Sequence, residues 1–240
     1  MRKNTKPKGS ISARFRVERQ PTPTSCGPTC LHAIYRWFEQ DVTIEELIAS
    51  VPALDEGGAL AIHMGIDALT RGYRTDFYSC NLRVLDPSWF LGTSASLIEK
   101  LRLSKKVRRK RKEKFELEAM ERYVRDGGNL YMEELTRSLL RKHLLLNRPI
   151  LARLSATFLY REAREEPETG RPDDLGGKSE GHFVVLHGYE PSTKMVTVHD
   201  PYHKAPFPGD HRYAVHIDRL INAILLGVLT HDANILVIHK

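Results

Sequence analysis

At 240 residues the chain is long enough to bury one large core without covalent staples. Its three cysteines are too few, and odd in number, for a disulfide framework, which points to free thiols in a reducing, cytoplasmic setting. The net charge of +7 is gathered in 2–19 and 105–114 rather than spread; no apolar run is long enough to span a bilayer, and the amino terminus lacks the apolar stretch of a secretory signal.

Residues 1–12 mix Lys, Arg, Asn, Ser, Gly and Pro, bury too little apolar area to offset the entropy of ordering, and are expected to be a disordered basic arm. The remainder, 13–240, reads as a single domain. Residues 12–17 alternate weakly, as a short strand would. From Gln20 the chain runs Pro, Thr, Pro, Thr, Ser and then Cys26-Gly27-Pro28-Thr29-Cys30-Leu31. The Pro/Thr/Ser segment cannot be helical, whereas 28–38 carries Leu31, Ile34, Tyr35 and Phe38 at helical spacing. Cys26 therefore falls at a helix start, where unpaired backbone N–H groups and the positive end of the dipole favour the thiolate. Gly27 permits a tight turn and Pro28 suits a first helical turn. Cys30, one turn on, reads as core. Gln20, six residues before Cys26, carries an amide that can donate to a developing oxyanion.

Thr43 followed by Glu46 signals a short helix over 41–51. After the break at 55–58, Leu60, Ile62, Met64, Ile66 and Leu69 predict a helix closed by Gly72, and 74–80 reads as a strand. Residues 94–127 turn to Lys, Arg, Glu, Leu and Met, the composition of a charged helical insertion on the surface. Its basic run, 105–112, has no aromatic platform interleaved, so a solvent-facing helix is expected and nucleic acid is not the expected partner. An amphipathic helix over 132–146 and a buried strand over 149–155 follow, then a polar, mobile loop over 160–180.

Two strand-like runs come next, Gly181-His182-Phe183-Val184-Val185-Leu186-His187 and Met195-Val196-Thr197-Val198-His199-Asp200, split by a turn signal. A three-residue turn at 190–192 sets His182 opposite Asp200, with Val184 opposite Val198 and Leu186 opposite Val196 on the same face. A carboxylate beside an imidazole fixes its tautomer and stabilises its charged form, while the imidazole takes the proton of a thiol. Cys26, His182 and Asp200 then read as nucleophile, base and orienter. His187 and His199 face the other side of this hairpin and His203 lies beyond it; surface or partly buried histidine is the preferred reading of all three. A zinc site from Cys26, Cys30, His32, His199 and His203 lacks the usual ligand spacing, and no metal or cofactor is expected.

Gln20, Cys26-Gly27-Pro28-Thr29-Cys30-Leu31, Gly181-His182-Phe183-Val184-Val185-Leu186 and Asp200-Pro201, in that order, resemble the papain-like cysteine peptidases that process bacteriocin double-glycine leaders, and their stand-alone relatives. Val42-Thr43-Ile44-Glu45-Glu46-Leu47, Gly57-Gly58 and Gly72-Tyr73 are similar in order and spacing to that family's helical lobe. The likeness covers about 15–92 and 130–240. It implies an α+β papain-like fold, with an N-terminal helical lobe carrying the nucleophile helix packed on an antiparallel sheet that bears His182 and Asp200. It also implies Gln20 as oxyanion donor. Cys26 and His182 lie farther apart in sequence than is usual there, and no transporter or ATPase motif follows. The expected function is a thiol hydrolase acting on a peptide or isopeptide bond of a peptide or protein substrate; the alternatives are acyl transfer by the same triad and a silent peptide-binding domain.

Overall fold

The computed structural model describes residues 15–54, 58–202, 205–206, 211–229 and 233–240. The expected arm at 1–12, the break at 55–57 and His203 lie outside them. Of the strand expected over 12–17, residues 15–17 are irregular, although Phe15 and Val17 are buried.

Three helices come first. Helix α1 spans Cys26–Trp37 and α2 spans Ile44–Ser50, the latter opened by the anticipated capping box: Thr43 Oγ1 accepts from the Glu46 N–H at 3.1 Å, and Glu46 Oε2 accepts from the Thr43 N–H at 2.8 Å. Helix α3, Ala61–Thr70, is closed by Gly72 at φ +85°, which lets the Gly72 and Tyr73 N–H groups reach the Leu69 and Ala68 carbonyls. Strand β1 is Arg74–Ser79. The charged segment folds as two helices, α4 (Ser94–Val107) and α5 (Arg111–Arg125), which pack on each other. Several of their charges pair at the seam and along each helix, Lys105 with Glu121 and Arg108 with Glu113 among them.

The helix expected over 132–146 begins only at Arg137. A short strand, β2 (Asn129–Tyr131), precedes it, and Thr136 Oγ1 caps α6 (Arg137–Leu145) by accepting from the Leu139 N–H at 3.2 Å. Strand β3 is Ile150–Ser155 and α7 is Ala156–Tyr160. Residues 161–180 are tied to themselves rather than loose: Glu165 and Lys178 exchange both backbone hydrogen bonds, and the Arg164 guanidinium donates to the carbonyls of Asp174 and Leu175. Strands β4 (Gly181–Glu190), β5 (Met195–His199) and β6 (Arg212–His216), helix α8 (Ile217–Leu226) and strand β7 (Asn234–His239) complete the chain.

The seven strands form one sheet in the order β2-β1-β7-β3-β4-β5-β6, antiparallel throughout except for the β1–β2 pair. Helices cover both faces, which is why the central strands read as unbroken apolar runs. Phe183 and Val185 join the core beneath α1, α3 and α5, while Val184 and Leu186 join the one beneath α6, α7 and α8. The α+β class is the one expected, with the N-terminal helices packed on one face of the sheet and α6, α7 and α8 on the other.

The hairpin register differs from expectation. The β4–β5 turn has four residues, 191–194, and pairs Glu190 with Met195 and Tyr189 with Val196. That register alone would put His182 and Asp200 on opposite faces. A bulge between Leu186 and Tyr189, containing Gly188 at φ +114°, then shifts the pairing to Leu186 with Val198 and Val185 with His199. The added residue restores the shared face. His182 itself pairs with Leu154 of β3, and Asp200 lies just beyond β5, its N–H bonded to the His211 carbonyl at 2.9 Å.

Candidate active site

Cys26 is the first residue of α1, and Ser25 before it turns its hydroxyl back onto Thr22 instead of capping the helix. The amino-terminal N–H groups beside the sulfur are thus left without a side-chain cap. Gly27 brings α1 close to the sheet: a Cβ there would stand 3.0 Å from Met64 Cε and 3.3 Å from Phe183 Cδ2. This close approach sets the Cys26 thiol beside His182 at the start of β4, near enough for the imidazole to act on it.

His182 Nε2 is 2.8 Å from Asp200 Oδ1, which leaves Nδ1 for the sulfur. Asp200 is fully buried, and its carboxylate accepts three further hydrogen bonds, from the Tyr202 N–H at 2.9 Å, the Tyr160 hydroxyl at 2.7 Å and the Tyr213 hydroxyl at 2.5 Å. A buried carboxylate with four donors is satisfied and fixed in orientation. The two tyrosines were not anticipated from the sequence.

The chain matches the model of the Peptidase_C39 like family. The match covers residues 110–217, and so includes His182 and Asp200 but neither Cys26 nor Gln20. This family is the one the sequence resembles. Among solved structures, the peptidase domain of Streptococcus ComA, a bi-functional ABC transporter involved in a quorum-sensing pathway, is 10% identical, with 95% of this chain and 99% of that one covered and a TM-score of 0.44. A Bacillus anthracis protein described as a C39-like peptidase is 14% identical, with 95% and 96% covered and a TM-score of 0.41. No curated protein matches the chain.

Electrostatics at the site follow from these contacts. Burial alone would raise the Cys26 pKa, but the hydrogen bond and charge of His182, the Phe183 backbone and the charge of Arg153 outweigh it, and the net shift is downward. Burial likewise disfavours charged His182, yet the Asp200 charge and hydrogen bond, with help from Cys26, push it up to about 10. Both shifts act in the direction of a thiolate–imidazolium pair. Asp200 is held below its usual value because the His182 charge and the hydrogen bonds from His182, Tyr213 and Tyr160 overcome burial. Cys30 goes the other way: fully buried, with its Sγ 3.4 Å from the Phe183 carbonyl, it is pushed well above the ordinary thiol range by burial and by Cys26 and Asp200. Cys80 Sγ faces the Glu133 carbonyl at 3.8 Å. Alkylation of the folded protein, read residue by residue by mass spectrometry, is therefore expected to modify Cys26 first and to persist below the ordinary thiol pKa of about 8.5. Faster modification of Cys30 or Cys80 would contradict this.

Gln20 sits beside the Cys26, His182 and Asp200 cluster, but its amide faces elsewhere. Its backbone N–H donates to the Pro201 carbonyl at 3.0 Å, and Nε2 donates to the Thr22 and Pro23 carbonyls, both at 3.0 Å. His187 and His199, expected at the surface or partly buried, are deep in the core against the Phe15 ring, with centroids 4.8 and 4.7 Å away. Burial holds His187 near 4 and His199 near 3, so both are neutral packing groups. Among the described residues no group of three or more His, Cys, Asp or Glu could hold a metal ion, and no helix is long and apolar enough to cross a membrane.

Two depressions meet at Cys26 and His182. A cleft of about 740 Å³ is lined by Cys26, Ala59, Arg153, Lys178 and Phe183, and a smaller one of about 270 Å³ by Gln20, Tyr160, Glu165, His182 and Tyr202; Pro23, Glu180 and Gly181 belong to both. A third, of about 680 Å³ between α7 and α8, holds neither Cys26 nor His182.

Proposed function

We propose that the protein is a cysteine-dependent hydrolase that cleaves a peptide or isopeptide bond through an acyl-enzyme, with Cys26 as nucleophile, His182 as acid and base, and Asp200 as orienter. The observation that carries this reading is the placing of His182 between the Cys26 thiol and Asp200, its Nε2 2.8 Å from Asp200 Oδ1, at the junction of the two clefts. The thiolate attacks the substrate carbonyl carbon, a C–S bond forms, and the C=O electron pair moves onto oxygen. As the C–N bond breaks, the imidazolium gives its proton to the departing amine. Water then attacks the thioester while neutral His182 takes its proton, the C–S bond breaks, and the thiolate–imidazolium pair returns.

The oxyanion needs donors. The Cys26 N–H is one candidate at the uncapped start of α1, and the Gln20 amide is the other, once Nε2 gives up one of its two carbonyl partners. Gln20→Ala is expected to lower acyl turnover by roughly a hundredfold while leaving Cys26 alkylation nearly unchanged, since alkylation develops no oxyanion. Full turnover in this variant would assign the role to the backbone alone. The reading as a whole is tested by incubating the protein with peptide thioesters and arylamides and trapping the acyl-enzyme for mass spectrometry. A mass increment on Cys26 that is absent in Cys26→Ala supports it, and turnover surviving Cys26→Ala overturns it.

A further inference from the structure

The two depressions that meet at Cys26 and His182 carry opposite charge. Among the described residues, Arg153, Arg164 and Lys178 line the larger cleft with Glu180 as the one carboxylate, and Glu162, Glu165 and Glu180 line the smaller one without a lysine or arginine. Arg153 is built into the cleft floor. It pairs in register with Phe183, its guanidinium lies 5.2 Å from that ring's centroid, Nη1 donates to the Ala59 carbonyl at 3.0 Å, and only 7% of the residue is exposed. A cation so enclosed is weakly screened and acts on a neighbouring anion more strongly than a surface lysine does. Arg164 is fixed by the neutral carbonyls of Asp174 and Leu175, and Lys178 is exposed at the rim.

The chemistry of the proposed hydrolase, on which this inference rests, assigns a direction to the two clefts. The leaving amine must lie against the imidazole that protonates it, hence in the small cleft lined by His182. The acyl portion then extends along the large cleft beside the sulfur. We infer that the acyl side of the substrate carries a carboxylate, as an acidic side chain at or near the residue whose carbonyl is attacked, and that Arg153, Arg164 and Lys178 are the specificity-determining cations that receive it. The glutamates of the other cleft repel the same group from the leaving side, so substrate polarity is set by attraction and exclusion together.

Charged and neutral alkylators of similar size test this on the full-length protein without an identified substrate. The iodoacetate-to-iodoacetamide rate ratio at Cys26 is measured by mass spectrometry against free cysteine in the same tube, for the wild type, Lys178→Glu and Arg153→Met. The wild-type ratio is expected to exceed that of free cysteine by about tenfold, to fall with added salt, and to drop severalfold in each variant. A Cys26 that reacts without preferring the carboxylate overturns the inference and leaves the hydrolase reading standing. A preference undiminished in Lys178→Glu, an exposed site where the fold is not at stake, shows that the cleft charge does not set it and also overturns the inference. A Cys26 inert to both reagents overturns the nucleophile assignment, and this inference with it.

Discussion

Changing His182 to alanine is expected to lower acyl turnover by about a million-fold, the scale seen when the base of a nucleophilic triad is removed. The loss should come with a second signature. Burial is the largest influence on the Cys26 thiol and raises its pKa, and only the neighbours, His182 foremost, bring it down. Without the imidazole, the alkylation midpoint of Cys26 should move upward and labelling at neutral pH should slow. The fold should survive, because the Asp200 carboxylate keeps the Tyr160, Tyr213 and Tyr202 donors. A His182→Ala protein with wild-type turnover, or with an unmoved labelling profile, would remove His182 from the mechanism.

The second large effect is at Asp200, where two substitutions separate charge from hydrogen bonding. In Asp200→Asn the amide oxygen can occupy the Oδ1 position and still accept from His182 Nε2 and the Tyr202 N–H, while the amide nitrogen donates to tyrosine hydroxyls that rotate to accept. The variant should fold but lose about 10⁴-fold in turnover, because the negative charge that stabilises the imidazolium is gone. Asp200→Ala instead strands several buried donors, and is expected to cost more than about 3 kcal/mol of stability as well. The pH dependence follows from sign. Asp200 is depressed in the folded state, so its stabilisation is complete above the unfolded carboxyl value of about 3.9 and is lost as pH falls through the lowered folded value. Thermal melts against pH should therefore show a shallower acid decline in Asp200→Asn than in the wild type; equal declines would mean that Asp200 contributes nothing to acid stability.

What could be read from the sequence was local. The helix start at Cys26 followed from a proline-rich segment giving way to helical spacing, and the Thr43 capping box and the Gly72 stop are each decided within a few residues. Strand β2 escaped because three residues are too few to show a period. The β4–β5 register escaped for a different reason: turn length and bulge each shift parity, and the two shifts cancel, so the right facing of His182 and Asp200 was reached through pairs that do not form. Gly188 was the one available sign of the bulge. Tyr160 and Tyr213 reach Asp200 across 40 and 13 residues, and no local pattern announces such contacts. The core positions of His187 and His199 depend on Phe15 and Trp37, which meet them only in the folded chain.

The strand order has a consequence for how activity is acquired. β7 lies between β1 and β3, so β2-β1 and β3-β4-β5-β6 are two separate ribbons until β7 is inserted between them. A chain still being synthesised carries Cys26, His182 and Asp200 long before β7 exists, but α1 and α3 share their core with Leu236 and Ile238 of that strand. Contacts spanning this much sequence close slowly, since the loop entropy is lost before the contacts reward it. A nascent chain therefore carries Cys26 and His182 on a half-built sheet, and the core that α1 and α3 share is complete only when β7 joins the two ribbons.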